Sequence, residues 1–209
     1  MAADDTGAAP VTVRALTRAE AEASFDALAR LRITVFRDYP YLYDGDIAYE
    51  RNYLAAYMES DGAVVIGALD GGRLVGAATA APLTDHFEAF ARPLAERGMD
   101  PRDFYYFGES VLERAYRGRG VGVRFFEERE KAARERGFTK TLFSAVIRPD
   151  DHPARPAGYV PLDRFWRARG YRPLEGLATT FSWKEVGEAD ESDKPMGFWM
   201  KDLGRLPGA

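Results

Sequence analysis

The chain has 209 residues, 46% hydrophobic and 30% charged, with a formal net charge of -4. That size and balance suit one globular domain with a full core. The absence of cysteine excludes disulfides, thiolate metal sites and a cysteine nucleophile. A sequence pI near 5.4 with no basic tail argues against a nucleic-acid partner.

In chain order, residues 1–10 read as a loose leader before a domain over 11–209. The start, Met1-Ala2-Ala3-Asp4-Asp5, is acidic and polar, unlike a signal peptide. No run of about 18 apolar residues offers a membrane span, and the lack of cysteine fits the reducing cytoplasm expected for the chain. Val11 to Leu16 alternates as a short strand. Thr17 followed by Glu20 predicts a capping box, opening a helix that runs to about Phe36. Asp38 to Asp46 is a proline-, glycine- and tyrosine-rich loop. A helix over 47–59 follows. Ala63 to Leu69 and Arg73 to Ala81 flank Asp70-Gly71-Gly72 as a hairpin. Residues 84–97 read as a helix ending at Gly98. Phe104 to Leu112 is an aromatic-rich strand, Val121 to Arg136 a helix closed by Gly137, and Thr141 to Ile147 a strand. Leu162 to Arg169 is a short helix stopped by Gly170. Leu177 to Trp183 and Met196 to Met200 are the last strands, joined by an acidic loop from Glu185 to Lys194. This order is a mixed α/β sheet rather than the strict alternation of a doubly wound one.

The densest chemical signal lies between the aromatic strand and the next helix, at Arg117-Gly118-Arg119-Gly120-Val121-Gly122. The first amides of a helix lack internal partners and sit at the positive end of its dipole. Glycines let a phosphate approach them. No Ser, Thr, Asp or Asn occupies 114–121 to cap the helix, and Arg114, Arg117, Arg119 and Arg124 ring the turn. The dinucleotide fingerprint fails, since the sixth residue from Gly118 is Val123, and no Gly-Lys-Ser/Thr exists. Gly108-Glu109-Ser110-Val111-Leu112 lacks the last glycine of a nucleophile elbow, so Ser110 reads as a plain strand residue. Of the 29 basic residues five are lysines, leaving 24 arginines. That bias suits phosphate and carboxylate recognition, but a compositional bias of the whole genome would produce it too. Two histidines, His86 and His152, make a histidine-rich metal site untenable, and no metal is expected.

The segment Arg117 to Gly122, after a strand and opening a helix, resembles the GNAT superfamily of acyl-CoA-dependent N-acyltransferases. Phe165-Trp166-Arg167-Ala168-Arg169-Gly170-Tyr171 and Phe198 to Leu203 are similar to the family's aromatic-pair helix and final strand. The resemblance implies a mostly antiparallel mixed sheet flanked by helices, with splayed central strands, Leu142 to Val146 parting from its neighbour after a bulge. It implies acetyl-CoA or another acyl-CoA as donor. Ser110, Val111 and Leu112 would pair with the pantetheine arm, and the Arg117–Gly122 turn, through Arg119, Gly120, Val121 and Gly122, would hold the pyrophosphate.

Transfer to an amine needs a base, donors for the developing oxyanion and, where the thiolate requires it, an acid. Glu109 is the candidate base, directly or through water, with pairing to an arginine or exposure to solvent as the alternative. Trp166 stands where the family has its usual tyrosine, and an indole is no useful proton donor. Tyr159 is therefore the candidate acid, the alternatives being that no protein acid is needed and that Tyr159 is a packed loop tyrosine, and Trp166 flanks the thiol end of the cofactor. Tyr41, Tyr43 and Asp44, in the loop that would roof the acceptor site, suit a cationic amine, though they equally fit a covered core and solvated acids. The long loop from Arg148 to Pro161 would form the second wall. The acceptor is a small-molecule or peptide amine, and the chain a monomer or homodimer. A non-catalytic acyl-CoA-binding regulator on the same fold is the alternative.

Overall fold

Seven strands form one sheet, in the order β1-β2-β3-β4-β5-β7-β6, in a computed structural model that describes residues 11–204. They are β1 (Thr12–Ala15), β2 (Val64–Asp70), β3 (Arg73–Pro82), β4 (Phe104–Leu112), β5 (Lys140–Val146), β6 (Arg172–Trp183) and β7 (Ser192–Asp202). The helices are α1 (Arg18–Ala23), α2 (Phe25–Phe36), α3 (Ile47–Tyr57), α4 (Leu83–His86), α5 (Glu88–Glu96), α6 (Val121–Glu135) and α7 (Asp163–Arg167). The expected leader over 1–10 lies outside the described residues. Every neighbouring pair is antiparallel except β4 and β5, which run parallel.

The capping box forms as expected. Glu20 N–H donates to the Thr17 hydroxyl at 3.2 Å, and Thr17 N–H donates to the Glu20 carboxylate at 2.8 Å. The single helix expected to reach Phe36 is instead two. At Ser24 the amide donates to both Glu20 and Ala21 carbonyls, a tightened turn that ends α1 and starts α2. The helix expected over 84–97 also breaks, at Phe87, whose ring packs into a cluster with Tyr57, Phe90 and Tyr106. The last hairpin is longer than its apolar stretches. β6 starts at Arg172 and β7 at Ser192, so part of the expected acidic loop pairs as strand. An edge strand with many exposed residues carries little hydrophobic signal.

Helix α6 covers one face of the sheet with Val121, Phe125, Phe126 and Ala133, against Tyr105, Phe107 and Phe143. On the other face α2 and α3 bring Leu28, Leu31 and Leu54 against Val65, Ala77 and Val111. A third cluster joins α5 to β4 and β7 through Phe90, Leu94, Phe104, Tyr106 and Phe198.

Two irregularities of β4 create the site. Its register against β3 jumps, with Ala80 opposite Phe107 and Ala78 opposite Ser110, so Gly108 and Glu109 together face Thr79. This bulge reverses which face later side chains reach. Tyr105 and Phe107 point toward α6, but so does Ser110, while Glu109 and Val111 turn toward α2 and α3. Position 108 has to be glycine, since a Cβ there would lie 2.5 Å from Thr79 Oγ1. The second irregularity is on the other edge. β4 pairs with β5 only from Phe104 opposite Lys140 to Tyr106 opposite Leu142. Beyond that the strands part, β4 running on to Leu112 and β5 to Val146.

Candidate active site

A cleft of about 2020 Å³ opens where β4 and β5 separate. A pocket for one small ligand takes up roughly 300–1,000 Å³, so this one has room for two. Arg114, Arg117, Gly118, Gly120 and Gly122 line one end, Ser110, Leu112, Phe143 and Trp166 the middle, and Glu109, Tyr41, Tyr43 and Asp44 the other end.

At the first end, Gly120 caps α6 in the left-handed region with φ 79°, and no side chain bonds to the cap. Gly118 shares that conformation at φ 77°. The amides of Val123 and Arg124 donate to the Gly120 carbonyl at 3.0 and 3.2 Å. Those of Gly118 to Gly122 have no backbone acceptor among the described residues. A Cβ at Gly118 or Gly120 would meet nothing within 4 Å, so these glycines serve the backbone angle and leave open space before the donors. Gly122 differs, since its Cβ would stand 3.3 Å from Phe165 Cζ, which seats α7 against α6. Gly120→Ala should therefore cost about 1–2 kcal/mol. A chemical denaturation curve checks this, and an unchanged midpoint would contradict the assigned conformation.

Not all of the arginine fringe faces this turn. Arg124 is turned away, donating to the Val11 and Val13 carbonyls at 3.2 and 3.1 Å. Arg119 lies 5.3 Å over the Tyr116 ring and outside the cleft lining. Arg114 and Arg117 remain on the cleft, and Arg117 Nε donates to the Leu112 carbonyl at 3.3 Å.

Along the β4 edge, Glu113 N–H donates to the Val75 carbonyl at 2.9 Å. Antiparallel alternation then puts the polar backbone groups of Val111 toward β3 and those of Ser110 and Leu112 toward the cleft. Val111 is fully buried among α2 and α3 residues, so of the expected triplet only Ser110 and Leu112 line the cleft. Arg129 of α6 fastens the bulge. Its guanidinium donates to the carbonyls of Phe125 (3.1 Å), Thr79 (3.3 Å) and Glu109 (3.4 Å), and to Ser110 Oγ (2.9 Å). It lies 4.3 Å over the Phe107 ring, and burial pushes its pKa down to about 10.

Glu109 belongs to a buried triad. Arg32 Nη1 lies 2.8 Å from Glu109 Oε2, and Arg32 Nε bonds to Glu50 Oε2. The side chains of Glu50 and Glu109 are 0% and 3% exposed. Burial opposes the Arg32 charge, but Glu109, Tyr53 and Glu50 together hold its pKa above the ordinary value. One oxygen of each carboxylate, Glu50 Oε1 and Glu109 Oε1, has no hydrogen-bond partner among the described residues, and neither has the Tyr57 hydroxyl. The triad sets two acids against one arginine beside the cleft, and the buried Arg129 guanidinium on the Glu109 carbonyl is the next cation.

Two loops close over this end. Arg148 donates to the carbonyls of Pro40 (2.7 Å) and Tyr41 (3.2 Å) and pairs with Glu185, tying the expected roof to the expected second wall. Tyr41 packs 4.7 Å from Phe36, and burial raises its hydroxyl to about 12. Tyr43 bridges to Glu185, its hydroxyl also raised by burial and by Glu50. Tyr159 stands edge-on to Tyr39 with ring centres 4.6 Å apart. Burial and Tyr39 raise its pKa, so it stays protonated at neutral pH. Trp166 packs against Phe143 at 5.1 Å and Trp199 at 5.0 Å.

The model of the acetyltransferase (GNAT) family matches residues 26–171, well over half of the chain. The chain belongs to this family. Solved structures share the fold at low identity. A ribosomal-protein-alanine N-acetyltransferase from Brucella melitensis is 20% identical with a TM-score of 0.59, covering 92% of this chain and 99% of its own. A putative acetyltransferase from Salmonella typhimurium, solved with acetyl-CoA, is 12% identical at 0.60, covering 96% and 98%. A phosphinothricin acetyltransferase from Sinorhizobium meliloti, also with acetyl-CoA, is 16% identical at 0.58, covering 95% and 91%. No curated protein sequence matches the chain.

In this acetyltransferase-family chain the cleft gathers Glu109, Ser110, Leu112, Tyr159, Trp166, Tyr41, Tyr43 and Asp44 with the glycine turn. Asp44 is not a free acid, because Arg37 at 3.1 Å and Lys184 at 3.5 Å hold it and lower its pKa. Sequence reasoning missed Arg32, Glu50 and Arg129. Each does carry a signal. Arg32 lies four residues after Leu28, Glu50 four before Leu54 and Arg129 four after Phe125, so each charge sits in a buried helical stripe.

Proposed function

We propose that the chain transfers an acetyl group from acetyl-CoA, or another acyl group from its CoA ester, to an amine. The observation that carries this reading is the row of amides at Gly118 to Gly122 with no partner among the described residues, its three glycines lining the same cleft as the unpartnered carboxylate oxygen of Glu109. The amides of Gly118, Arg119, Gly120, Val121 and Gly122, with Arg117, would hold the pyrophosphate, and the parting edge at Ser110 and Leu112 the pantetheine arm. The residues fit such a group, since the φ-positive glycines leave space before the donors and the neighbouring cations suit its charge. When bound, it supplies an activated thioester and a thiol leaving group.

The chain's own work is then proton handling and orientation. Glu109 Oε1 takes the proton from the entering ammonium, releasing a nucleophilic amine. Tyr159 is the residue we assign to return a proton to the departing sulfur. Trp166, fixed between Phe143 and Trp199, shapes the wall at that end. Holding both reactants in a cleft sheltered from water contributes much of the rate.

Two measurements test the reading. Acetyl-CoA should raise Tm in proportion to the logarithm of its concentration, and thiol release should appear when an amine library is added. No thermal shift would remove the assignment. A shift without thiol release from any amine would favour a non-catalytic acyl-CoA-binding regulator instead.

A further inference from the structure

The end of the cleft opposite the glycine turn has an uneven charge inventory. Arg32 is divided between Glu50 and Glu109, and it is the only cation touching either acid among the described residues. Arg148 is consumed by two loop carbonyls and Glu185. At the rim Lys184 faces Asp44 at 3.5 Å, and Arg155 faces Asp150 at 2.6 Å. Arg129, beside Glu109, is held by three carbonyls and Ser110 Oγ, so every cation lining this end has an acidic, carbonyl or hydroxyl partner already. The acids are not so matched. Glu109 Oε1 is buried and unpartnered, and Asp190 and Glu191, exposed on the rim, form no ion pair among the described residues. Between rim and triad the walls are aromatic, including Phe36, Tyr53, Phe87 and Tyr106.

Resting on the acyl-transfer reading above, we infer that the acceptor is a carboxylate-free amine with an apolar or aromatic body, which enters as the ammonium and neutralises the Arg32–Glu50–Glu109 triad. A free α-amino acid fits poorly. Its ammonium would meet Glu109, but its carboxylate would enter a site whose cations are all engaged. An anion buried there has no partner to offset its desolvation. A simple amine has the charge the site lacks, and aromatic faces favour a cation close to them.

Three probes of nearly equal shape separate charge from size: 2-phenylethylamine, phenylalanine amide and phenylalanine. The first two should be acetylated with kcat/KM at least about 100-fold above the third, the factor that roughly 3 kcal/mol of uncompensated charge produces. A readout without acyl-CoA comes from thermal shift. 2-Phenylethylamine should raise Tm of the wild-type protein, phenylalanine should not, and Glu109→Gln should abolish the rise. Equal or better use of phenylalanine, or a thermal response to it matching that of the amine, overturns the inference. So does failure of all three probes in both assays. The acyl-transfer reading is judged separately by the acetyl-CoA shift, so a protein that binds acetyl-CoA yet prefers phenylalanine loses only the acceptor assignment.

Discussion

Glu109→Gln should lower kcat by about 100-fold or more while leaving stability and the acetyl-CoA thermal shift close to wild type. The first half follows from the role assigned to Oε1, because a positioned base contributes about 10²–10⁴ to a rate. The second half follows from charge. The triad holds two acids and one cation, so replacing one acid by its neutral isostere leaves Arg32 and Glu50 as a matched pair. The substitution keeps the volume and an oxygen for Arg32. The glycine turn lies at the far end of the cleft and is untouched. Full turnover across the pH range would show that Glu109 is only a structural partner of Arg32. A large fall in Tm would show that the acid is needed for the fold.

Arg32→Met has the opposite profile and the largest expected cost in stability. It strands two carboxylates, both almost fully buried, next to each other. Breaking a buried ion pair from one side costs about 3–5 kcal/mol. For a chain of this length that is a fall in Tm of roughly 10 °C. Adding Glu50→Gln and Glu109→Gln to Arg32→Met should recover most of the loss, since no uncompensated charge is then left. Equilibrium denaturation of the single and triple variants measures both. If the single variant matched wild type, or the triple variant stayed as unstable as the single, charge balance would not be what holds α2, α3 and β4 together.

The contrast between these variants shows which parts of the site can be read from a sequence. The glycine turn was legible because its requirements are local: two left-handed residues, an uncapped helix start and cations close by in the chain. The order of elements along the chain and the positions of the two long loops followed from apolar periodicity and from proline and glycine, while the sheet type and the roofing role of the first loop came from the family resemblance. The bulge was not legible. Where Glu109 and Ser110 point depends on the register of β4 against Thr79, a residue thirty positions earlier in the chain, and strict alternation from Tyr105 would send Glu109 to the α6 face. The triad was hidden for a related reason. Glu50 and Glu109 reach Arg32 only after α2 and α3 have packed across β4. Arg124 shows the reverse error. Near the turn in sequence, it is drawn off by the carbonyls of β1.

The parting of β4 from β5 also bears on handling the protein. Past Tyr106 and Leu142 the middle of the sheet has an inner rim of hydrogen-bonding groups with no strand beside it among the described residues. Elsewhere such a rim invites another chain to add itself, but here it lies within the molecule, with α6 and α7 alongside. A ligand that lies along the rim completes the sheet as a missing strand would. Resistance to heat and protease should then depend on how full the groove is, and purified material should keep better with the groove occupied than bare.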